Sequence, residues 1–93
     1  MTVILMTRCR VADFDIWRAR FDSFAAAQPA LLSYRVWRGQ DDPNFVVLME
    51  TFESREALDA VMSDPKLQDT MVEDGVDLSS VTTDFLDEAP PAR

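Results

Sequence analysis

The sequence predicts an α+β domain in which a four-stranded antiparallel sheet carries helices on one face. Three features predict it. Val3-Ile4-Leu5-Met6 and Phe45-Val46-Val47-Leu48-Met49 are apolar at every position, a long helical stripe lies between them, and Gly39-Gln40-Asp41-Asp42-Pro43-Asn44 is rich enough in turn residues to fold two strands into a hairpin. Strands that are apolar throughout put oily side chains on both faces of a sheet. The two helical regions of a 93-residue chain shield one face, so the other must meet a second copy of the chain or a ligand.

The first strand runs from Thr2 to about Arg10, with polar positions only at Thr7, Arg8 and Arg10 after its start. Asp13 is an N-cap, and Phe14, Trp17, Phe21, Phe24 and Ala25 recur at the three- and four-residue spacing of one helical face. That stripe reads as core. Arg18 and Asp22 form an i,i+4 pair on the polar side. Pro29 ends the helix, Leu31 to Arg38 form the second strand, and the turn segment leads into a third, Phe45 to about Phe52, antiparallel to the second. Ser54 caps a helix from Arg55 to about Ser63 that buries Ala57, Leu58 and Val61. Asp64-Pro65 restarts the chain as a cap followed by proline at the first helical position, giving a short helix through Leu67 and Met71 that stops at Gly75. The last strand spans roughly Ser79 to Glu88. Residues 1–88 are expected to form a single domain and 89–93 a frayed tail. The order β-α-β-β-α-β is the split βαβ, ferredoxin-like arrangement with both helices on one face. Its bare second face is expected to pair with that of a second copy, making a homodimeric α/β barrel.

A net charge of −8, from 17 acidic and 9 basic residues, repels phosphate backbones and anionic headgroups, so neither nucleic acid nor membrane is an expected partner. No apolar run approaches the ~20 residues of a membrane span, and the N-terminus lacks a basic region leading into a long apolar one. A cytoplasmic location is expected by default. The single cysteine, Cys9, reads as a small buried hydrophobe, and the absence of histidine removes the commonest general base and the usual zinc and haem ligand. No GxGxxG, P-loop, CxxC or HExxH pattern occurs, so no cofactor and no metal are expected.

Several segments carry a resemblance to a known family: Val11-Ala12-Asp13-Phe14-Asp15-Ile16-Trp17 with Phe21-Asp22, Asp42-Pro43-Asn44, Glu50-Thr51-Phe52-Glu53-Ser54-Arg55-Glu56-Ala57, Asp64-Pro65-Lys66-Leu67 and Asp74-Gly75-Val76. Across nearly its whole length the chain resembles the dimeric α/β-barrel superfamily of antibiotic-biosynthesis monooxygenases and small polyketide cyclases. The resemblance implies a ferredoxin-like protomer, a homodimer, and a cofactor-independent monooxygenase or cyclase acting on an aromatic or polyketide-like molecule. Members that oxygenate use an asparagine, a tryptophan and a phenylalanine or tyrosine. This chain has Thr7 and Arg8 on the first strand and Val61 and Met62 on the second helix in the corresponding regions, and it lacks the histidine of haem-degrading members.

Strand parity assigns the candidate site, on the rule that the helix-covered face avoids charge. It sends Ile4, Met6, Arg8 and Arg10 of the first strand to the barrel interior, with Ser33, Arg35 and Trp37 of the second, Val46, Leu48 and Glu50 of the third, and Thr82, Asp84 and Leu86 of the fourth; a slip of one residue would invert any of these sets. The expected cavity has Met6, Leu48, Leu86 and Trp37 as substrate-binding walls and Arg8, Arg35, Glu50 and Asp84 as catalytic groups. The arginines would steady an enolate or phenolate while Glu50 or Asp84 accepts a proton, and a hydrophobic or aromatic small molecule is the expected partner. Two alternatives stand beside this: a satisfied network in which Arg8 or Arg35 pairs with Glu50 or Asp84, and a non-catalytic ligand-binding or interaction module.

Overall fold

In a computed structural model, which describes residues 1–91, the chain runs β1 (Val3–Val11), α1 (Phe14–Ala26), β2 (Leu31–Arg38), β3 (Phe45–Phe52), α2 (Arg55–Met62), α3 (Leu67–Glu73) and β4 (Val76–Leu86). The strands form one antiparallel sheet in the order β2-β3-β1-β4, so the two strands that carry the all-apolar runs sit at its centre. This is the ferredoxin-like α+β arrangement that the element order predicts.

Local chemistry fixes the elements. Asp13 is extended at the N-cap of α1 and its carboxylate accepts from the Ile16 amide at 3.1 Å. Phe14, Trp17, Phe21 and Phe24 then run as a continuous aromatic ridge with successive centroids 5.9, 5.4 and 6.2 Å apart, and Tyr34 of β2 meets Phe21 edge-on at 5.0 Å. The hairpin from β2 to β3 closes through Gly39, whose amide donates to the Phe45 carbonyl at 2.9 Å. A side chain there would put its Cβ 2.5 Å from the Asp42 carbonyl oxygen, so glycine is required for the close approach. Ser54 caps α2 by accepting from the Ala57 amide at 3.0 Å, and Leu58, fully buried, anchors that helix to the sheet.

The short helix starts later than its sequence signal indicates. Asp64 accepts from the Lys66 amide at 2.9 Å, which makes Asp64-Pro65 a turn, and α3 begins at Leu67 without a side-chain cap. Gly75, at φ +89°, ends it in the left-handed region and leads straight into β4, earlier than expected. Between Arg8 and Arg10 the β1–β4 register shifts from Thr82 to Asp77, and the Ser80 hydroxyl accepts from the Arg10 amide at 2.8 Å where the ladder is interrupted. Residues 89–91 follow β4 without secondary structure, and the rest of the expected tail, residues 92–93, lies outside the described residues. No described helix is long and apolar enough to cross a membrane.

Candidate functional site

Antiparallel register decides what faces the helices, because directly opposed residues share a face. On β1 and β3 the opposed pairs are Leu5 with Glu50, Thr7 with Leu48 and Cys9 with Val46; β2 adds Tyr34 opposite Glu50 and Val36 opposite Leu48; β4 adds Phe85 opposite Leu5 and Thr83 opposite Thr7. All these side chains lie on the helix side, where Val3, Leu5, Cys9, Val46, Leu48 and Phe52 are buried. The open side carries Ile4, Met6, Arg8 and Arg10 of β1, Arg35 and Trp37 of β2, Phe45, Val47, Met49 and Thr51 of β3, and Thr82, Asp84 and Leu86 of β4.

Strands β1, β2 and β4 present the faces that parity predicts, and β3 presents the opposite one. Val46, Leu48 and Glu50 point under the helices, not to the open face. Because Tyr34 and Val36 face the helices and stand opposite Glu50 and Leu48, the hairpin carries those residues to the same side. The expected site is therefore divided. Arg8, Arg35 and Asp84 lie on the open face with Met6, Trp37 and Leu86, while Glu50 and Leu48 lie beneath the helices.

On the open face, Arg8 Nη1 stands 3.8 Å from Asp84 Oδ2 with both side chains about half exposed, and the Arg35 guanidinium sits 5.1 Å from the Trp37 ring centroid. Neither arginine reaches Glu50's side of the sheet.

Between the sheet and the helices lies a cavity of about 410 Å³. Its floor is Leu5, Thr7 and Cys9 of β1 with Leu48, Glu50 and Phe52 of β3, and Leu78, Val81 and Thr83 of β4 close one side. The roof is Trp17, Phe21 and Phe24 of α1, Leu58, Val61 and Met62 of α2, and Leu67, Gln68, Thr70 and Met71 of α3. The space exists because two short helices roof the side of the sheet that α1 leaves, and α3 itself has no buried residue. A second hollow of about 300 Å³, lined by Gln28, Asp64 and Lys66 among others, shares Phe24, Val61, Leu67 and Thr70 with the first.

Glu50 is the chemically distinctive group in the cavity. It is 6% exposed, burial raises its pKa to about 7, and among the described residues no cation or hydrogen-bond donor engages its carboxylate. Asp74, also on the wall, is already paired with Arg20 at 3.4 Å, and burial pushes the Cys9 thiol up. Beside the cavity the Tyr34 hydroxyl donates to Asp22 at 2.7 Å; that bond holds Asp22 low, helped by Arg18 at 3.1 Å, and holds Tyr34 high. Among the described residues no lysine or arginine lines the large cavity, and no three His, Cys, Asp or Glu side chains gather where they could hold a metal ion.

Sequence reasoning did not assign Thr7, Trp17, Gln68, Met71 or Thr83 to the site. Trp17 was legible as part of the aromatic stripe but read as solid core, whereas one edge of that ridge faces empty space. Gln68 and Met71 belong to a helix too short to show a buried face in its pattern.

A ferredoxin-like fold with a largely apolar pocket under its helices, and with Glu50 and Asp74 as the carboxylates among its described lining, is the class of protein that the fold and the site define. The chain belongs to the antibiotic biosynthesis monooxygenase family, whose model matches residues 2–73. No curated protein matches it. Among solved structures it is similar to SnoaB, a cofactor-independent oxygenase from Streptomyces nogalater, with a TM-score of 0.75 and 16% identity over 98% of this chain and 96% of that one. It is also similar to Rv0793 from Mycobacterium tuberculosis, with a TM-score of 0.68 and 23% identity over 100% of both chains. A third is a dimeric ferredoxin-like protein of unknown function from Jannaschia sp. CCS1, with a TM-score of 0.67 and 17% identity over 95% of this chain and 100% of that one. At these identities the likeness shows the fold.

Proposed function

We propose that the protein is a cytoplasmic, cofactor-independent enzyme that binds a hydrophobic, aromatic or polyketide-like molecule beneath its helices, with Glu50 as proton acceptor and Leu48 as part of the binding wall. The observation that carries this reading is the cavity of about 410 Å³, of the size small-molecule pockets usually have, with a carboxylate of pKa about 7 in a mostly apolar setting. A base poised there can accept the proton of a phenolic or enolic group at neutral pH as the ligand reacts, passing through an electron-rich anion on the ligand. Such an anion can react with dioxygen or close a ring. Thr7, Thr83 and Gln68 supply the neutral polar groups of the same wall. The family match and the likeness to a cofactor-independent oxygenase support the reaction class.

The open face is assigned to pairing with a second copy. Met6, Trp37 and Leu86 make it apolar, and Arg8, Arg35 and Asp84 give it opposite charges with which two copies can meet. The likeness to a dimeric protein of the same fold supports this. Sedimentation equilibrium at micromolar concentration should give twice the mass of the chain, and Met49→Arg should halve it without unfolding the protomer; a native monomer rejects the pairing.

A second reading, ligand carriage without turnover, is favoured by one observation: no arginine or lysine among the described residues stands in the cavity to hold the anion. Oxygen consumption with hydroxylated aromatic probes separates the two. Uptake that rises through about pH 7 in the native chain and disappears in Glu50→Gln supports catalysis. Saturable binding with no uptake and no ring-closed product supports carriage.

A further inference from the structure

The charges around the cavity point to a selection rule for its ligand. Of the three ionisable groups among the described residues of its wall, Asp74 is held by Arg20 and Cys9 is a buried thiol, which leaves Glu50 as the one charge that no described residue engages. Apart from Asp74, the described charged groups on the elements packed around Glu50 are turned elsewhere or already engaged. On β2, Tyr34 gives its hydroxyl to Asp22, which also takes Arg18 of α1. On α2, Arg55 pairs with Asp59 at 3.0 Å and lies 3.8 Å from the Phe85 ring centroid. On β1 and β4, Arg8 and Asp84 face the other side of the sheet, and α3 presents Gln68, Thr70 and Asp74 to the cavity.

We propose that the cavity selects its ligand by charge: it takes an uncharged hydrophobic aromatic bearing a hydroxyl, whose O–H donates to Glu50, and it rejects the carboxylated analogue of the same shape. This rests on the reading of the cavity as a ligand site and narrows its substrate class. A hydroxyl supplies a donor that none of the described residues gives the Glu50 carboxylate, while the walls bury the rings. A carboxylate would bring a second negative charge beside the first in a low-dielectric space that holds no cation among the described residues. Lys66, the sole lysine, lies on the neighbouring hollow and not on this one.

The test is a matched pair of probes, 2-naphthol and 2-naphthoate, titrated into the native protein by calorimetry or intrinsic Trp fluorescence. At about pH 8, where the naphthol is uncharged and Glu50 ionised, the naphthol should bind at least ~10-fold more tightly, the order of a like-charge penalty. At about pH 5.5 Glu50 takes up a proton while the naphthoate remains an anion, so the gap should narrow severalfold. Glu50→Gln should narrow it at both pH values, and the pH comparison on the native chain stands even if that variant folds poorly. Equal affinities, or a gap insensitive to pH and to Glu50→Gln, overturn the charge rule and leave the cavity as a ligand site. Binding of neither probe overturns the ligand-site reading and the rule with it.

Discussion

Replacing Glu50 with glutamine should invert the usual expectation that removing a buried polar group destabilises a protein, and should do so only above neutral pH. In the folded chain the Glu50 carboxyl titrates at about 7, against an ordinary value of 4.5. Between those values the folded protein keeps a proton that the unfolded chain has lost, so folding grows less favourable as pH rises through the window and levels off above it. The separation between 4.5 and about 7 corresponds to about 3 kcal/mol at ~1.4 kcal/mol for each factor of ten. Glutamine cannot ionise, so Glu50→Gln should be more stable than the native chain by up to about 3 kcal/mol near pH 8, and the two should converge near pH 4.5. Urea unfolding from about pH 4.5 to 8.5, at fixed protein concentration because assembly adds to apparent stability, reads this as a difference between midpoints. Comparing the two proteins cancels the other carboxylates, including Asp22, whose lowered pKa works in the opposite sense at lower pH. A native midpoint that rises across the window, or two curves that stay parallel, would refute the reasoning.

Two further substitutions probe the frame around the cavity. Leu58→Ala removes the fully buried anchor of α2 and should cost about 2–5 kcal/mol in urea unfolding, toward the lower end because the void it leaves adjoins space that is already empty. Gly75→Ala forces a side chain into a φ of +89° with its Cβ 3.3 Å from Ala12 Cβ, and should cost about 1–2 kcal/mol by the same measurement; an unchanged midpoint would mean that the α3–β4 junction is free to relax.

The order of elements was legible because each has an independent local signal. Asp13 and Ser54 are caps, Pro29 and Gly75 are stops, and the aromatic stripe of α1 has helical period. The Asp64-Pro65 signal was misread because the same pair initiates either a helix or a turn, and here the Asp64 side chain closes a turn. The site was only half legible. Avoidance of charge gave the right faces for β1, β2 and β4 and failed for β3, where Glu50 is the one charged residue and apolar residues occupy both faces. The better signal is the hairpin: Arg38 pairs with Val46, Val36 with Leu48 and Tyr34 with Glu50, so the face chosen for β2 determines that of β3. A buried carboxylate that no described residue engages breaks the rule that sorts polar residues outward, and such violations concentrate where function demands them.

The central claim is that a ligand is held between the sheet and the helices, next to Glu50. Intermolecular NOEs from bound 2-naphthol to the protein's methyl groups test it most directly, because the two faces of the sheet present different methyls. The account predicts contacts to Leu48, Leu58 and Met71, which line the cavity. Contacts to Met6, Val47 and Met49 of the open face would contradict it.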